Sequence, residues 1–348
     1  MLGKENMTHA DRNDPSRERA TRDYPTRSRL YQCRICSGYS AIELEAKEMM
    51  AGTRKSFRYF ECPSCGCVQI AEIPESMDRY YKHDYYSFVV PDFSLLQRFK
   101  IRALRFIDLV GGLSTYLRRL LGRHRGLALI FLYHRFARDR NVYILDVGAG
   151  AGKTVRDLLE IGYKNVLGID LFIPQDICYR GRTLVRRCDI FSVDGRWDII
   201  SFHHSLEHMP AQKAVLARAL EILSSDGCVI VRIPIVGGYV WRHYREHWVQ
   251  LDPPRHLYLH SLKSLRVVAS SAGFDVSEVF YDSWGFQFWG SELYRRDIPL
   301  NDPRSPVVNK KNPLFSASQM REFERRAQLA NGAGEGDQIV AVLVPKRN

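Results

Sequence analysis

Tyr143-Ile-Leu-Asp-Val-Gly-Ala-Gly-Ala-Gly152 is the stretch that decides the fold. Tyr143 to Val147 read as a short buried strand, followed by a glycine-rich turn and a helix from about Lys153 to Ile161. Glycine suits a turn where the backbone bends sharply and a ligand approaches it closely. The next apolar run, Val166-Leu-Gly-Ile-Asp170, reads as a second strand ending in an acid two dozen residues after Asp146. A carboxylate at such a strand end can accept hydrogen bonds from ribose hydroxyls. The glycines are spaced G-x-G-x-G, not G-x-G-x-x-G as in dinucleotide folds, and Gly152-Lys153-Thr154 lacks the spacing of a P-loop.

The texture continues downstream. Trp197 to Phe202 and Cys228 to Ile233 read as strands, with a helix from about Ala211 to Leu223 between them. Phe274 to Phe280 and Gln338 to Val344 read as the last two strands. Strands alternating with helices predict an α/β fold with a largely parallel sheet.

An acid followed by G-x-G-x-G after a strand resembles motif I of the class I S-adenosylmethionine-dependent methyltransferases. That resemblance implies a Rossmann-like seven-stranded sheet, mostly parallel with the last strand antiparallel. It implies that Asp146, Gly148, Gly150 and Gly152 form the turn around the methionyl part of S-adenosylmethionine. Asp170 would then hold the ribose, and Asp189 of Cys188-Asp189-Ile190 the adenine. Leu206-Glu-His208, Leu251-Asp-Pro-Pro-Arg-His256 and Phe288-Trp-Gly-Ser-Glu292 look like segments of bacterial small-molecule and polysaccharide methyltransferases, often built with an amino-terminal zinc module. The resemblance runs from about Leu30 to Pro345. It implies methyl transfer to a small molecule or glycan, at a sugar hydroxyl of a surface-polysaccharide precursor. Two other readings stay open: an RNA methyltransferase with a zinc ribbon, and an inactive zinc-ribbon scaffold.

The chain has 8 cysteines, and two close pairs stand in its first quarter. Cys33-Arg-Ile-Cys36 and Cys62-Pro-Ser-Cys65 form two C-x-x-C knuckles, separated by 25 residues. Four thiolates at this spacing read as a structural zinc ribbon. Cys67 is a spare thiol that competes for the ligand assignment.

Methyl transfer to a hydroxyl needs an aligned acceptor and a group that takes its proton. The rim after the fourth and fifth strands supplies His203, His204, Glu207, His208 and His256. His256, on a loop expected to face the acceptor, is the first candidate for general base, followed by His204 and His208. His203 or His204 is better suited to packing over the adenosine than to catalysis, and Glu207 and His208 to capping and orienting the following helix. His204-x-x-Glu207-His208 is also similar to the metal-holding segment of quinone O-methyltransferases, with a histidine where that family has an acid.

The charge is uneven. Between Phe93 and Arg140 stand 11 basic and 2 acidic residues, which is +9 of the chain's +12. Apolar residues at helical spacing interleave with them, so this segment predicts basic amphipathic helices. Such helices could lie on an anionic membrane, grip phosphate, or form a solvated face over the site. Nucleic acid is the less favoured partner. The division expected is a disordered tail over 1–29, the ribbon over 30–73, an aromatic linker and basic helical segment over 74–141, and the α/β domain over 142–348. No apolar leader opens the sequence, so a cytoplasmic protein is expected, with a peripheral contact at the inner membrane face left open.

Overall fold

Two tight cysteine turns shape the amino-terminal module. In the computed structural model, which describes residues 29–81, 133, 135–137, 139–311 and 314–347, strands β1 (Tyr31–Gln32) and β2 (Tyr39–Ser40) pair antiparallel around the first knuckle. The amino-terminal tail, most of the aromatic linker with Tyr85 and Tyr86, and most of the basic helical segment lie outside the described residues. Strands β3 (Glu43–Lys47), β4 (Ser56–Glu61) and β5 (Val68–Ile70) follow as an antiparallel meander. The meander buries Tyr59, Phe60, Val68 and Ile70.

The α/β part opens with β6 (Tyr143–Val147), helix α1 (Lys153–Ile161) and β7 (Asn165–Ile169). A hairpin follows, β8 (Ile177–Tyr179) and β9 (Arg182–Arg186), and then β10 (Trp197–His203), α2 (Gln212–Ile222) and β11 (Leu223–Pro234). After the short α3 (Tyr239–Tyr244) come β12 (Tyr258–Leu259), α4 (Leu262–Ser271) and β13 (Phe274–Tyr281). Helices α5 (Phe286–Arg295) and α6 (Ala317–Gly332) precede the last strand, β14 (Gln338–Pro345).

The main sheet runs β13-β14-β11-β10-β6-β7-β9-β8. Strand β14 is antiparallel to both neighbours, as expected of the last strand. The sheet has eight strands, one more than seven, because β8 folds back on β9. Arg180 and Gly181 make that two-residue turn at φ of +51° and +76°, the left-handed geometry a tight hairpin favours. Alternate residues of each strand feed opposite layers. Ile144 and Val166 pack with Val155, Leu158 and Ile161 of α1 on one face. Leu145 and Val147 pack with Leu216 of α2 and Leu265 of α4 on the other.

The ribbon does not stand apart. Strand β12, on the loop that leaves the main sheet after β11, pairs with β5, so both parts share one four-stranded sheet. Tyr59 Oη donates to the carbonyl of His256 at 2.9 Å, and Ser261 Oγ donates to the carbonyl of Cys65 at 2.5 Å. The Arg255 guanidinium, 2% exposed, donates to Asp252 on its own loop and to Glu48 of the ribbon at 2.8 Å. Taking a charge out of water is costly unless it is paired and hydrogen-bonded. Replacing Arg255 by Met strands two buried carboxylates. We expect a stability loss of about 3–5 kcal/mol in chemical denaturation; a loss below about 1 kcal/mol would show that the ion pairs do not hold the seam.

Candidate active site

The chain runs outward from β6 to β9 on one side, then crosses back to β10 on the other. A cleft opens at such a switch point, beyond the carboxyl ends of the strands. Here it holds a cavity of about 590 Å³, lined by residues that follow β6, β7, β9 and β10.

The turn after β6 forms its floor. Gly148 and Gly150 adopt φ of +77° and +53° and line the cavity. A Cβ on Gly148 would stand 2.4 Å from Ser205 Cβ, so only glycine fits there. Gly152 does not line the cavity: a Cβ on it would meet Val185 at 2.6 Å, which makes it the close-packing glycine between α1 and the sheet. Helix α1 has no side-chain cap at its start, and Lys153 and Thr154 face the cavity. Its first amides can therefore receive an anionic group such as a carboxylate.

Two acids face each other across the turn. Asp170, at the end of β7, accepts from Gly150 N at 2.9 Å and Phe172 N at 2.8 Å, which fixes its carboxylate at the cavity edge. Asp146 is almost fully buried and accepts from Ser201 Oγ at 2.8 Å. Burial pushes its carboxyl up to about 7; Ser201 pulls it down, and the charge of Asp170 pushes it further up. Asp189 also lines the cavity, with one oxygen accepting from Ser192 N and Oγ. Beside it Phe172 and Phe191 stay 45% and 52% exposed at the rim, an apolar slot suited to a flat ring.

The histidines divide between cavity wall and interior. His203, His204 and His208 line the cavity and His256 does not. His203 Nε2 lies 2.8 Å from Tyr133 Oη, which bonds Ser201 Oγ at 2.7 Å and so joins the Asp146 network. Burial, then the charge of Arg232, holds the His203 ring down to about 3, so it stays neutral. His204 adopts φ of +51°, an uncommon conformation for a residue with a Cβ, and its Nδ1 is 3.4 Å from Glu207 Oε1. His208 Nδ1 meets the carbonyl of Arg255 at 2.8 Å and Tyr81 Oη at 3.0 Å. His256 was expected on a loop facing the acceptor. Instead the ribbon covers that loop, and His256 lies buried behind His208, ring centroids 4.7 Å apart. Its Nδ1 meets the carbonyl of Gln250 at 2.6 Å. Glu207 caps nothing: helix α2 has no side-chain cap, and both Glu207 oxygens lack a hydrogen-bond partner.

Tyr81 and Tyr133 carry contacts that spacing alone does not reveal. Tyr81, from the aromatic linker, stacks on Phe172 with centroids 4.8 Å apart. Its only sequence signal is the density of tyrosines in that linker.

The four knuckle cysteines come together, with all four sulfurs within 4.8 Å of one another. Cys33 to Cys65 and Cys36 to Cys62 are each 3.6 Å, close to the roughly 3.8 Å edge of a tetrahedron with zinc–sulfur bonds of about 2.3 Å. The amides of Ile35 and Cys36 and the Gln69 side chain point at Cys33 Sγ. Cys67 stays outside the cluster, with its thiol toward the carbonyl of Val68.

A family model described as a methyltransferase domain matches residues 121–279. Those residues carry a methyltransferase domain. The protein is an enzyme, and the cavity-lining carboxylates, positive-φ glycines and apolar rim fit S-adenosylmethionine. Among solved structures, this chain is similar to the cyclopropane synthase MmaA2 from Mycobacterium tuberculosis, at 16% identity and a TM-score of 0.41, over 62% of this chain and 83% of that one. A second is the Burkholderia thailandensis 1,6-didemethyltoxoflavin-N1-methyltransferase, at 18% identity and a TM-score of 0.38, over 74% and 93%. A third is an S-adenosylmethionine-dependent methyltransferase from Archaeoglobus fulgidus, at 15% identity and 0.40, over 67% and 100%. No curated protein matches this sequence.

The raised Asp146 carboxyl gives a signed prediction. The cofactor carries a sulfonium cation, and Asp146 becomes an anion only as pH rises through about 7. Cofactor affinity should therefore rise with pH across neutrality, by up to about tenfold per unit below that point. Asp146→Asn should flatten the profile in calorimetric titrations; an unchanged slope in that variant would assign the dependence elsewhere.

Proposed function

We propose that this methyltransferase acts on a hydroxyl of a small molecule or glycan, such as a sugar of a surface-polysaccharide precursor. The observation that carries the reading is the imidazole-lined wall. His204 and His208 stand in the cavity, side by side with a buried carboxylate. A hydroxyl acceptor needs a proton acceptor beside it, and neutral imidazole suits that task near neutral pH. The cavity volume also lies in the range of small-molecule sites.

The cofactor supplies an electrophilic methyl group when bound. The chain's own residues do the rest. Asp170 and Asp189 orient the ribose and adenine, the turn at Gly148 and Gly150 brings backbone close to the methionyl part, and the first turn of α1 faces its carboxylate. His204, which touches the cavity, takes the acceptor proton. His256 stands one layer deeper and acts as a positioning residue through His208. The ribbon holds zinc as a closed four-thiolate site, and its role is structural. It braces the loop that carries Arg255 and His256.

RNA is the second reading, favoured by the chain's net charge of +12. Most of that charge falls in the segment 93–140, which leaves +3 for the rest of the chain. A phosphate-tracking face across ribbon and cleft would need far more. No helix among the described residues is long and apolar enough to cross a membrane.

The test is transfer of tritium from labelled cofactor to total lipid-linked glycan and polar metabolites on one side and total RNA on the other. Label in the first fraction is expected, and label confined to RNA would overturn the proposal. His204→Ala should lower kcat by about 10²–10⁴ while the cofactor Kd holds. Full activity in that variant would remove His204 from the reaction.

A further inference from the structure

Among the described residues, Glu207 is a buried carboxylate, 0% exposed, and neither of its oxygens has a hydrogen-bond partner. No lysine or arginine pairs with it among the described residues; its charged-group neighbours are His204 Nδ1 at 3.4 Å and His256 Nε2 at 3.9 Å. A buried carboxylate without hydrogen bonds is strongly unfavourable unless a cation compensates it.

The imidazoles around it are set as ligands are set. His256 has its Nδ1 against the carbonyl of Gln250 at 2.6 Å, and His208 its Nδ1 against the carbonyl of Arg255 at 2.8 Å. A carbonyl only accepts, so each ring carries its proton on Nδ1 and leaves a lone pair on Nε2. Metal-binding histidines are commonly fixed in this way, with the far ring nitrogen donating to a backbone carbonyl. One ligand atom from each of Glu207, His208 and His256 lies within 4.8 Å of the others. Two histidines from different segments and one carboxylate make the set that holds a first-row divalent ion with positions left open.

We propose that Glu207, His208 and His256 bind a divalent transition-metal ion, separate from the ribbon zinc, at the wall of the cavity. His208 lines that cavity, so the ion stands where it can take an oxygen of the acceptor as a further ligand. That role rests on the hydroxyl-acceptor reading; the binding of the ion itself does not. The ion would neutralise Glu207 and hold the acceptor oxygen beside His204. The ribbon enters the chemistry indirectly, because it covers the loop that delivers His256.

Cobalt(II) is the probe, titrated into the full chain with its ribbon loaded with zinc. One further equivalent should bind, with visible d–d absorption and no thiolate charge-transfer band, since the ligands are nitrogen and oxygen. Glu207→Gln and His256→Ala should each weaken cobalt binding by at least about 100-fold and leave the cofactor Kd unchanged. If Glu207→Gln does not fold, His208→Gln at the cavity wall replaces it and should lose cobalt equally. Absence of a second equivalent in the wild type would overturn the proposal, and so would cobalt binding untouched by these variants. Cofactor binding measured on the same samples separates the two ideas. In the wild type, no second equivalent of cobalt with cofactor still bound ends the metal site alone, and no cofactor binding either ends the methyl-transfer reading too.

Discussion

A guanidinium shut away from water has to find its counter-charges, and Arg255 finds them in two different parts of the chain. Asp252 comes from its own loop and Glu48 from the ribbon. That pairing closes the seam between ribbon and α/β domain, and the pairing of β12 with β5 runs alongside it. The seam determines what the loop after β11 can present. With the ribbon in place, His256 is turned inward behind His208 and the Arg255 carbonyl meets His208 Nδ1. A four-cysteine module that does not line the cavity thereby sets the positions of side chains at it.

The opposite wall is set by backbone. Parallel strands buried on both faces leave one productive opening, where the chain reverses between β6 and β10. The glycines after β6 let the backbone reach that opening without side chains filling it. Asp170 is locked there by two amides, and Asp146 is kept in reserve beneath, bonded to Ser201 and raised toward neutrality by burial.

Much of this was legible in the sequence. The strand, turn and helix around Asp146 to Gly152 follow from apolar runs and glycine spacing. The cysteine spacing gathered the right four thiols, and left Cys67 to be placed by packing. Strand β9 escaped notice because Arg182-Thr-Leu-Val-Arg186 is short and flanked by charge, although Arg180-Gly181 carried a hairpin signal. The shared ribbon sheet could not be read, since β12 is only Tyr258–Leu259 and its partner lies nearly 200 residues away in sequence. For the same reason the inward turn of His256 was not foreseeable. It depends on Glu48 and Tyr59, which no local pattern links to Pro253-Pro254-Arg255.

The most direct measurement is a crystal structure of the full chain with S-adenosylhomocysteine. The account predicts density in the cavity beyond β6, with the carboxylate at the first turn of α1, the ribose hydroxyls on Asp170 and the adenine between Asp189 and the apolar rim. A ligand bound elsewhere, or a cavity left empty at saturating concentration, would contradict it.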